Sequence, residues 1–462
     1  MLPRFLSPIL MLGCASAIVV LAAAHRGAAA EPEQGPTTSP APLLGLPDGV
    51  IPHGQGVNIH FTDPKAGEME MLVGGGFGLV RMDFHWEATE RQIGVYDFAA
   101  FDRLLAQLEA HGLRALFILD YANKLYDQGQ SPHSDQSRAA FAQWAVAAAT
   151  HFRGRGVLWE MWNEPNIGFW KPTPNVDDYA KLALAVGRAL RGNPQTRTEL
   201  YIGPAVSGVD FKFLEACFRA GCLPYWDAVS LHPYRQDAPL IGWARAANQA
   251  AVTFNHAGDP ETVLADYALL RALIDRYAPP GKTIPIISGE WGYSSNAASR
   301  GGWRAYSPQR QAVMLPRQWL VNLSVNVNTS IWYDWHDDGA DPADPECHFG
   351  LVAFPYHQDR QPVYDPKPAY QAAQTFTRTL AGCKIGQVVW RGEKGDYFLR
   401  LVKPGVTIAA IWTTGPSHHV QLGLPAGAYR VVSHLGEGKP WHVGNDGGEL
   451  PITDAVQYIV PQ

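Results

Sequence analysis

A (β/α)8 TIM barrel carrying a small C-terminal antiparallel β domain is the α/β fold the sequence predicts, on three observations. A short apolar run, a loop and an amphipathic stretch recur eight times between residues 56 and 335. No GxGxxG or Walker loop follows the first run, which disfavours the rival open doubly wound sheet. Beyond residue 380 the helical period stops, and strand-like segments such as 396–412, DYFLRLVKPGVTIAAIW, take over with turn residues between them.

Taken in order, residues 1–30 hold Arg4, an apolar run over 9–24 and Ala28, Ala29 and Ala30, the pattern of a secretory signal peptide. The protein is therefore expected to be exported, to the periplasm or the medium, with an uncleaved signal anchor as the alternative. No other segment reads as a membrane span. Residues 31–50 form a linker, rich in Pro, Thr, Ser and Gly over 31–42. The barrel is expected over 51–383. Its strands are predicted at 56–61, 79–83, 114–121, 157–162, 199–206, 228–232, 284–289 and 329–335. These runs are nearly continuously apolar, as strands buried on both faces must be. Helical spacing is found at 101–111, 137–152, 178–191, 261–277 and 308–321, and more weakly in the Gly-rich 68–76. Residues 384–462 read as a β-sandwich-like accessory domain, structural first and carbohydrate-binding as the alternative.

Composition removes several function classes. Thirty-seven Lys and Arg face 43 Asp and Glu, a formal net charge of -6 with no long basic run, so no nucleic-acid partner is expected. Fifteen Trp and 18 Tyr are many, and exposed aromatic faces suit pyranose rings. No CxxC or HxxxH spacing suggests zinc, and neither a metal nor any other cofactor is expected. Outside the leader, Cys217, Cys222, Cys347 and Cys383 allow three pairings. Cys217 with Cys222 and Cys347 with Cys383 are the expected disulfides, free thiols being the alternative.

In a closed barrel of this kind chemistry gathers where strands end at the C-terminal mouth. That rule collects Asn58 and His60; Arg81, Asp83, His85 and Trp86; Asp120 and Tyr121; Asn163 and Glu164; His232 and Tyr234; Glu290 and Trp291; Trp332, Asp334 and Trp335. Two stretches stand out, VLWEMWNEPNIGFW at 157–170 and IPIISGEWGY at 284–293. In each an apolar run ends on a glutamate, and Pro165 forces a turn after the first. Hydrolysis of a glycosidic bond needs one carboxylic acid to protonate the departing oxygen and one carboxylate to attack or to activate water. Glu164 and Glu290, on the fourth and seventh strands, are the expected pair. Glu164 is the acid, kept protonated by Trp162, Trp170 and the Glu290 charge, and Glu290 is ionised beside Arg81 and Tyr234. Asn163, His232, Tyr234, Arg81, His85, Trp86, Trp291, Trp332, Asp334 and Trp335 are the candidate substrate-binding residues. Glu160, inside the strand, is expected to be a paired interior acid.

The strings WEMWNEPNIGFWKP, VRMDFHWE, SLHPY and ISGEWGYS resemble the corresponding stretches of glycoside hydrolase family 39, among the clan A retaining glycosidases, across residues 57–380. The resemblance implies that Glu164 is the acid/base and Glu290 the nucleophile of a double displacement through a covalent glycosyl-enzyme. It also implies that Asn163 holds the sugar 2-hydroxyl, that His232 and Tyr234 neighbour the nucleophile, and that Arg81 supports the carboxylates. That family includes β-xylosidases, α-L-iduronidases and exopolysaccharide hydrolases, so the expected partner is an oligosaccharide or polysaccharide. Alternatives are a family 5-like endo-β-glucanase or mannanase and a non-catalytic glycan-binding barrel.

Overall fold

Side chains alternate between two faces along a strand, and that period of two decides what the barrel encloses. The protein is described from a computed structural model over residues 44–235, 258–296, 305–393 and 395–462, so the expected leader and residues 31–43 of the linker lie outside the described residues. Eight parallel strands close in chain order: β1 (Gln55–Asn58), β2 (Leu79–His85), β3 (Arg114–Asp120), β4 (Leu158–Met161), β5 (Leu200–Ser207), β6 (Ala228–His232), β7 (Ile286–Trp291) and β8 (Ser330–Trp332). Their inward side chains first build a dry layer of Leu79, Leu116, Ile118, Leu158, Ile202, Ala228, Ile287 and Ile331. Two residues further along β2, β4 and β6, the same faces carry Arg81, Glu160 and Ser230, all buried. The interior thus changes from apolar to polar in one pleat, toward the C-terminal mouth.

Around the barrel lie α1 (Glu68–Gly74), α2 (Trp86–Thr89), α3 (Ala99–Ala110), α4 (Asp135–His151), α5 (Val176–Gly192), α6 (Phe211–Arg219), α7 (Val263–Tyr277), α8 (Pro308–Ser324) and α9 (Pro368–Leu380). Side chains cap several starts: Ser134 accepts from the Ser137 N–H, Asn175 from Asp177 and Asp178, Asp210 from Phe213, and Ser307 from Arg310. Each such cap contributes about 1 kcal/mol. None of the described helices is long and apolar enough to cross a membrane.

Both expected disulfides are corrected, because all four cysteines are free thiols. Residues 211–219, nine in all and too few to show a clear period, form α6 and put Cys217 in its last turn. The Cys222 N–H folds back onto the Cys217 carbonyl at 3.2 Å, while its thiol points to the Ala180 carbonyl at 4.0 Å. Cys347 sits in the loop beyond β8 at the mouth. Cys383 is at the opposite end, its carbonyl accepting from the Ile51 N–H at 2.9 Å just before β1.

After α9 come β9 (Lys384–Glu393), β10 (Asp396–Lys403), β11 (Val406–Thr413), β12 (His418–Gln421), β13 (Gly427–Ser433), β14 (Gly438–Val443), β15 (Glu449–Ile452) and β16 (Gln457–Pro461). Six make an antiparallel sheet in the order β14-β13-β16-β11-β10-β9, and β12 pairs with β15 separately. Alternation again sorts the side chains. Tyr397, Leu399, Leu401, Ile408, Ala410 and Trp412 join the barrel's large outer core, whereas Phe398, Ala409 and Ile411 face the second layer with Val420 and Ile452.

Candidate active site

The chain leaves β4 under strain. Trp162 and Glu164 adopt φ of 67° and 45°, a left-handed region that costs a non-glycine residue about 1–3 kcal/mol. The fold fixes this turn at both residues: the Trp162 N–H donates to the Leu119 carbonyl at 3.1 Å and the Glu164 N–H to the Ala205 carbonyl at 3.0 Å. Ala205 is itself left-handed, φ 54°, where the β5–β6 register slips. Across the mouth, the β7–β8 register is irregular between Ser288 and Trp291, and Glu290 turns toward the cavity. The inward space at Gly289 is already taken, since a Cβ there would meet the Ser230 hydroxyl at 2.2 Å and Glu160 at 3.0 Å. As a result, carboxylate oxygens of Glu164 and Glu290 lie within 4.8 Å of one another.

Arg81 is the hub beneath them and is fully buried. Its Nε donates to Glu160 at 2.7 Å, Nη1 to Glu290 at 2.6 Å and Nη2 to the Asn163 Oδ1 at 2.9 Å, with the His232 Nε2 3.3 Å from Nη2. Glu160, which also accepts from the Ser230 hydroxyl at 2.5 Å, is thus a paired interior acid. A guanidinium only donates, so Nε2 of His232 must accept and the imidazole proton sits on Nδ1. From there it is donated to Glu164 Oε1 at 2.9 Å. The other Glu164 oxygen is left to exchange a proton with a ligand. The same logic fixes Asn163: its carbonyl oxygen is held by Arg81, so its NH2 group is turned to other partners. Glu290 accepts from the Tyr234 hydroxyl at 2.6 Å and the Asn58 amide at 3.4 Å. Burial alone would raise its carboxyl, but the Arg81 charge, the Tyr234 hydroxyl and the His60 charge outweigh it and hold the group below the ordinary range.

These residues floor a cavity of about 490 Å³ whose walls include Asn58, His60, Asp83, Tyr121, Phe169 and Tyr333. Not every expected contact reaches it. Trp86, Trp291, Trp332 and Trp335 are each 0–1% exposed, and their indole N–H groups are committed to Glu90, Ser330, the Phe349 carbonyl and Glu68. On β8 the pleat points Ile331 and Tyr333 inward and Trp332 outward, so those four pack the shell and do not line the cavity. Asp334 is buried behind His60, 3.3 Å away. Burial pushes the Asp334 carboxyl up to about 6 against the pull of His60. Burial would lower His60, but the hydrogen bond and charge of Asp334 overcome that and push it up to about 9. His85 borders a neighbouring cavity.

Sequence reasoning missed Tyr333, Glu346, Phe349 and Ser207, all of which line the cavity. Glu346 and Phe349 come from the long loop after β8, where no periodicity marks them. Their segment is held by Ser294, whose hydroxyl donates to the Pro345 carbonyl at 2.7 Å, and by Lys367, which donates to the His348 carbonyl at 2.9 Å. Glu164, His232 and Glu290 also offer three ligand atoms within 4.8 Å, the spacing of a metal site. The permanent charge of Arg81, 2.6 Å from Glu290, opposes a divalent ion there.

No protein-family model and no curated protein sequence matches the chain. Solved structures do. The chain is similar to a family 39 glycoside hydrolase from the gut symbiont Bacteroides cellulosilyticus WH2, with TM-score 0.72 and 24% identity over 89% of this chain and 81% of that one. It is also similar to a monomeric β-xylosidase from Caulobacter crescentus CB15, with TM-score 0.59 and 19% identity over 90% and 98% of the two chains. A family 30 endoxylanase from Clostridium papyrosolvens C71 aligns at TM-score 0.55 and 14% identity over 91% and 98%. At these identities the likeness is one of fold.

Proposed function

We propose that the protein is a retaining glycoside hydrolase that cleaves an oligosaccharide or polysaccharide by double displacement. The observation that carries this reading is the pair of carboxylates on β4 and β7, whose oxygens approach within 4.8 Å across one cavity. Retaining glycosidases hold their two carboxyl groups about 5–5.5 Å apart, whereas inverting ones leave about 6.5–9.5 Å for a water. An approach within 4.8 Å falls on the retaining side of that divide.

Glu164 protonates the departing oxygen as Glu290 attacks the anomeric carbon, so the C–O bond breaks and an ester to Glu290 forms. The emptied site then admits water. Glu164, now ionised, takes one proton from it as the water oxygen displaces Glu290, which restores both groups. His232, with its proton fixed on Nδ1, holds Glu164 in place through both halves. Asn163, locked by Arg81, is oriented to donate to the hydroxyl next to the anomeric carbon, and the lowered pKa of Glu290 keeps it ionised for attack. The fold is shared with proteins described as a β-xylosidase and an endoxylanase, which makes xylosides the first substrates to try. The leader pattern over residues 1–30 supports reading the protein as exported, with this reaction outside the cytoplasm.

The test is covalent. A 2-deoxy-2-fluoro glycoside of the accepted sugar slows the second step, and peptide mass analysis should find the fluorosugar on Glu290. A label on any other residue, or product of inverted anomeric configuration, removes the proposal.

A further inference from the structure

A second cavity, of about 630 Å³, opens over the loops that follow β2 and β3. His85, Glu87, Arg91, Asn123, Lys124 and Leu125 line it, and it shares the Tyr121 wall with the cavity of the carboxylates. At that shared wall Tyr121 stacks on Phe169, ring centroids 5.8 Å apart and 19° from parallel, and Phe169 stays 44% exposed. An exposed aromatic ledge between two polar hollows suits a chain of pyranoses, whose C–H faces stack and whose hydroxyls need donors and acceptors. The floor is also built. Asn123 donates to the Glu90 carbonyl at 2.8 Å and accepts from the Leu125 N–H at 2.9 Å, and the Glu90 carboxylate is held by Trp86 and by the Tyr126 hydroxyl at 2.8 Å. Its walls are set before any ligand arrives.

Barrel order sets the second cavity beside the first. Tyr121 follows β3, beside β4, and Phe169 lies in the same loop as Glu164; the Glu290 partner Tyr234 follows β6, and Tyr333 follows β8. Tyr121 also reaches Asn163, the amide oriented to the hydroxyl next to the anomeric carbon, so the second cavity continues the path of a chain bound at the carboxylates. Resting on the glycosidase reading above, we propose that the second cavity binds further sugar units of a chain whose scissile bond lies between Glu164 and Glu290. The enzyme then favours chains over small glycosides.

The full chain is first assayed on 4-nitrophenyl β-xyloside and β-glucoside, then on β-1,4-linked oligomers of whichever sugar is released, two to six units long. The expected result is that kcat/KM rises about tenfold between two and four units, which is about 1.4 kcal/mol of extra transition-state binding. A variant with Arg91→Ala and Leu125→Ala should lose most of that gain relative to its own rate on the nitrophenyl glycoside. Turnover of the small glycoside with no gain from chain length, or a gain that survives in the variant, overturns this inference alone. No turnover of any of these glycosides removes xylose and glucose as the cleaved sugar and overturns this inference, while the glycosidase reading stands or falls by the fluorosugar label on Glu290.

Discussion

Two buried arginines organise this molecule, and they spend their hydrogen bonds differently. Arg317, on α8, forks onto one carboxylate, Nε and Nη2 reaching the two Glu261 oxygens at 2.8 and 2.6 Å, and it lies 3.3 Å from Asp259. Trp412 of β11 closes the arrangement by donating to Glu261 Oε1 at 2.6 Å, which ties the C-terminal sheet to the barrel. Arg81 gives each of two glutamates a single N–H and shares its third arm between Asn163 and His232. A bidentate fork neutralises a carboxylate, whereas one donor to one oxygen positions it and leaves its charge in use. The difference teaches that burial and pairing do not by themselves tell a structural acid from a reactive one. What separates Glu290 from Glu261 is the cavity in front of it.

The comparison breaks most visibly at the two acids. Glu290→Ala should lower kcat on the order of 10⁴-fold, the scale on which a covalent nucleophile is missed, and azide should restore product of opposite anomeric configuration. Glu164→Ala should cost about 10²–10⁴-fold on an alkyl glycoside, and far less on a dinitrophenyl glycoside that needs no proton to leave. Equal losses on both substrates would remove Glu164 from the acid role. At the other arginine the expected damage is to stability. Arg317→Met strands Glu261 and should lower the unfolding free energy by about 3–5 kcal/mol in denaturant titration, with kcat of the folded fraction kept. If kcat falls as well, the two networks are coupled and the division between them fails.

How much of this could be read from the chain alone follows the same divide. The barrel was legible because eight apolar runs with helical stretches between them have few other solutions, and Glu164 and Glu290 because each ends such a run beside Asn163 or Trp291. Arg81 could be placed at the rim beside Glu290, but not its other three partners, since those lie 79 to 151 residues away and pairing at that range leaves no local spacing. Trp332 and Trp335 misled because a tryptophan in a mouth motif looks the same whether its pleat points in or out. Glu346 and Phe349 were invisible, being carried on a loop held by Ser294 and Lys367. The thiols misled for a similar reason: five residues of spacing between Cys217 and Cys222 looked like a bridged loop, and a helix's last turn occupies it.

Trp412→Phe sharpens the structural half of the contrast. It keeps the ring stacked on Tyr397, 4.8 Å away, and removes only the N–H donated to Glu261. Loss of one hydrogen bond to a charged group should cost about 1.5 kcal/mol, less than losing Arg317 because the fork still satisfies the carboxylate. A loss as large as that of Arg317→Met would make the tryptophan, and not the fork, the group that holds Glu261.

The smallest effect expected concerns pH, and it divides the two networks by the kind of cation each contains. Around Glu261 the nearby cations are Arg317 and, through Asp259, Arg310, both permanently charged. The mouth also contains His60, which can lose its charge. Its folded pKa of about 9 lies above the ordinary 6.5, so its contribution is fully present below 6.5 and lost as pH rises toward 9. Asp334, raised from 3.8 to about 6, favours folding below 3.8 and loses that contribution as pH climbs to 6. The pair is therefore doubly charged between about 6 and 9. Asp334→Asn should move the His60 titration, followed by NMR of the imidazole protons, back toward its ordinary value. It should also flatten the decline in melting temperature between pH 6.5 and 9, a window in which Arg317→Met keeps the wild-type slope. A His60 that still titrates near 9 without Asp334 would mean that Asp83 and Asp338, the other acids that raise it, suffice to hold the charge at the mouth.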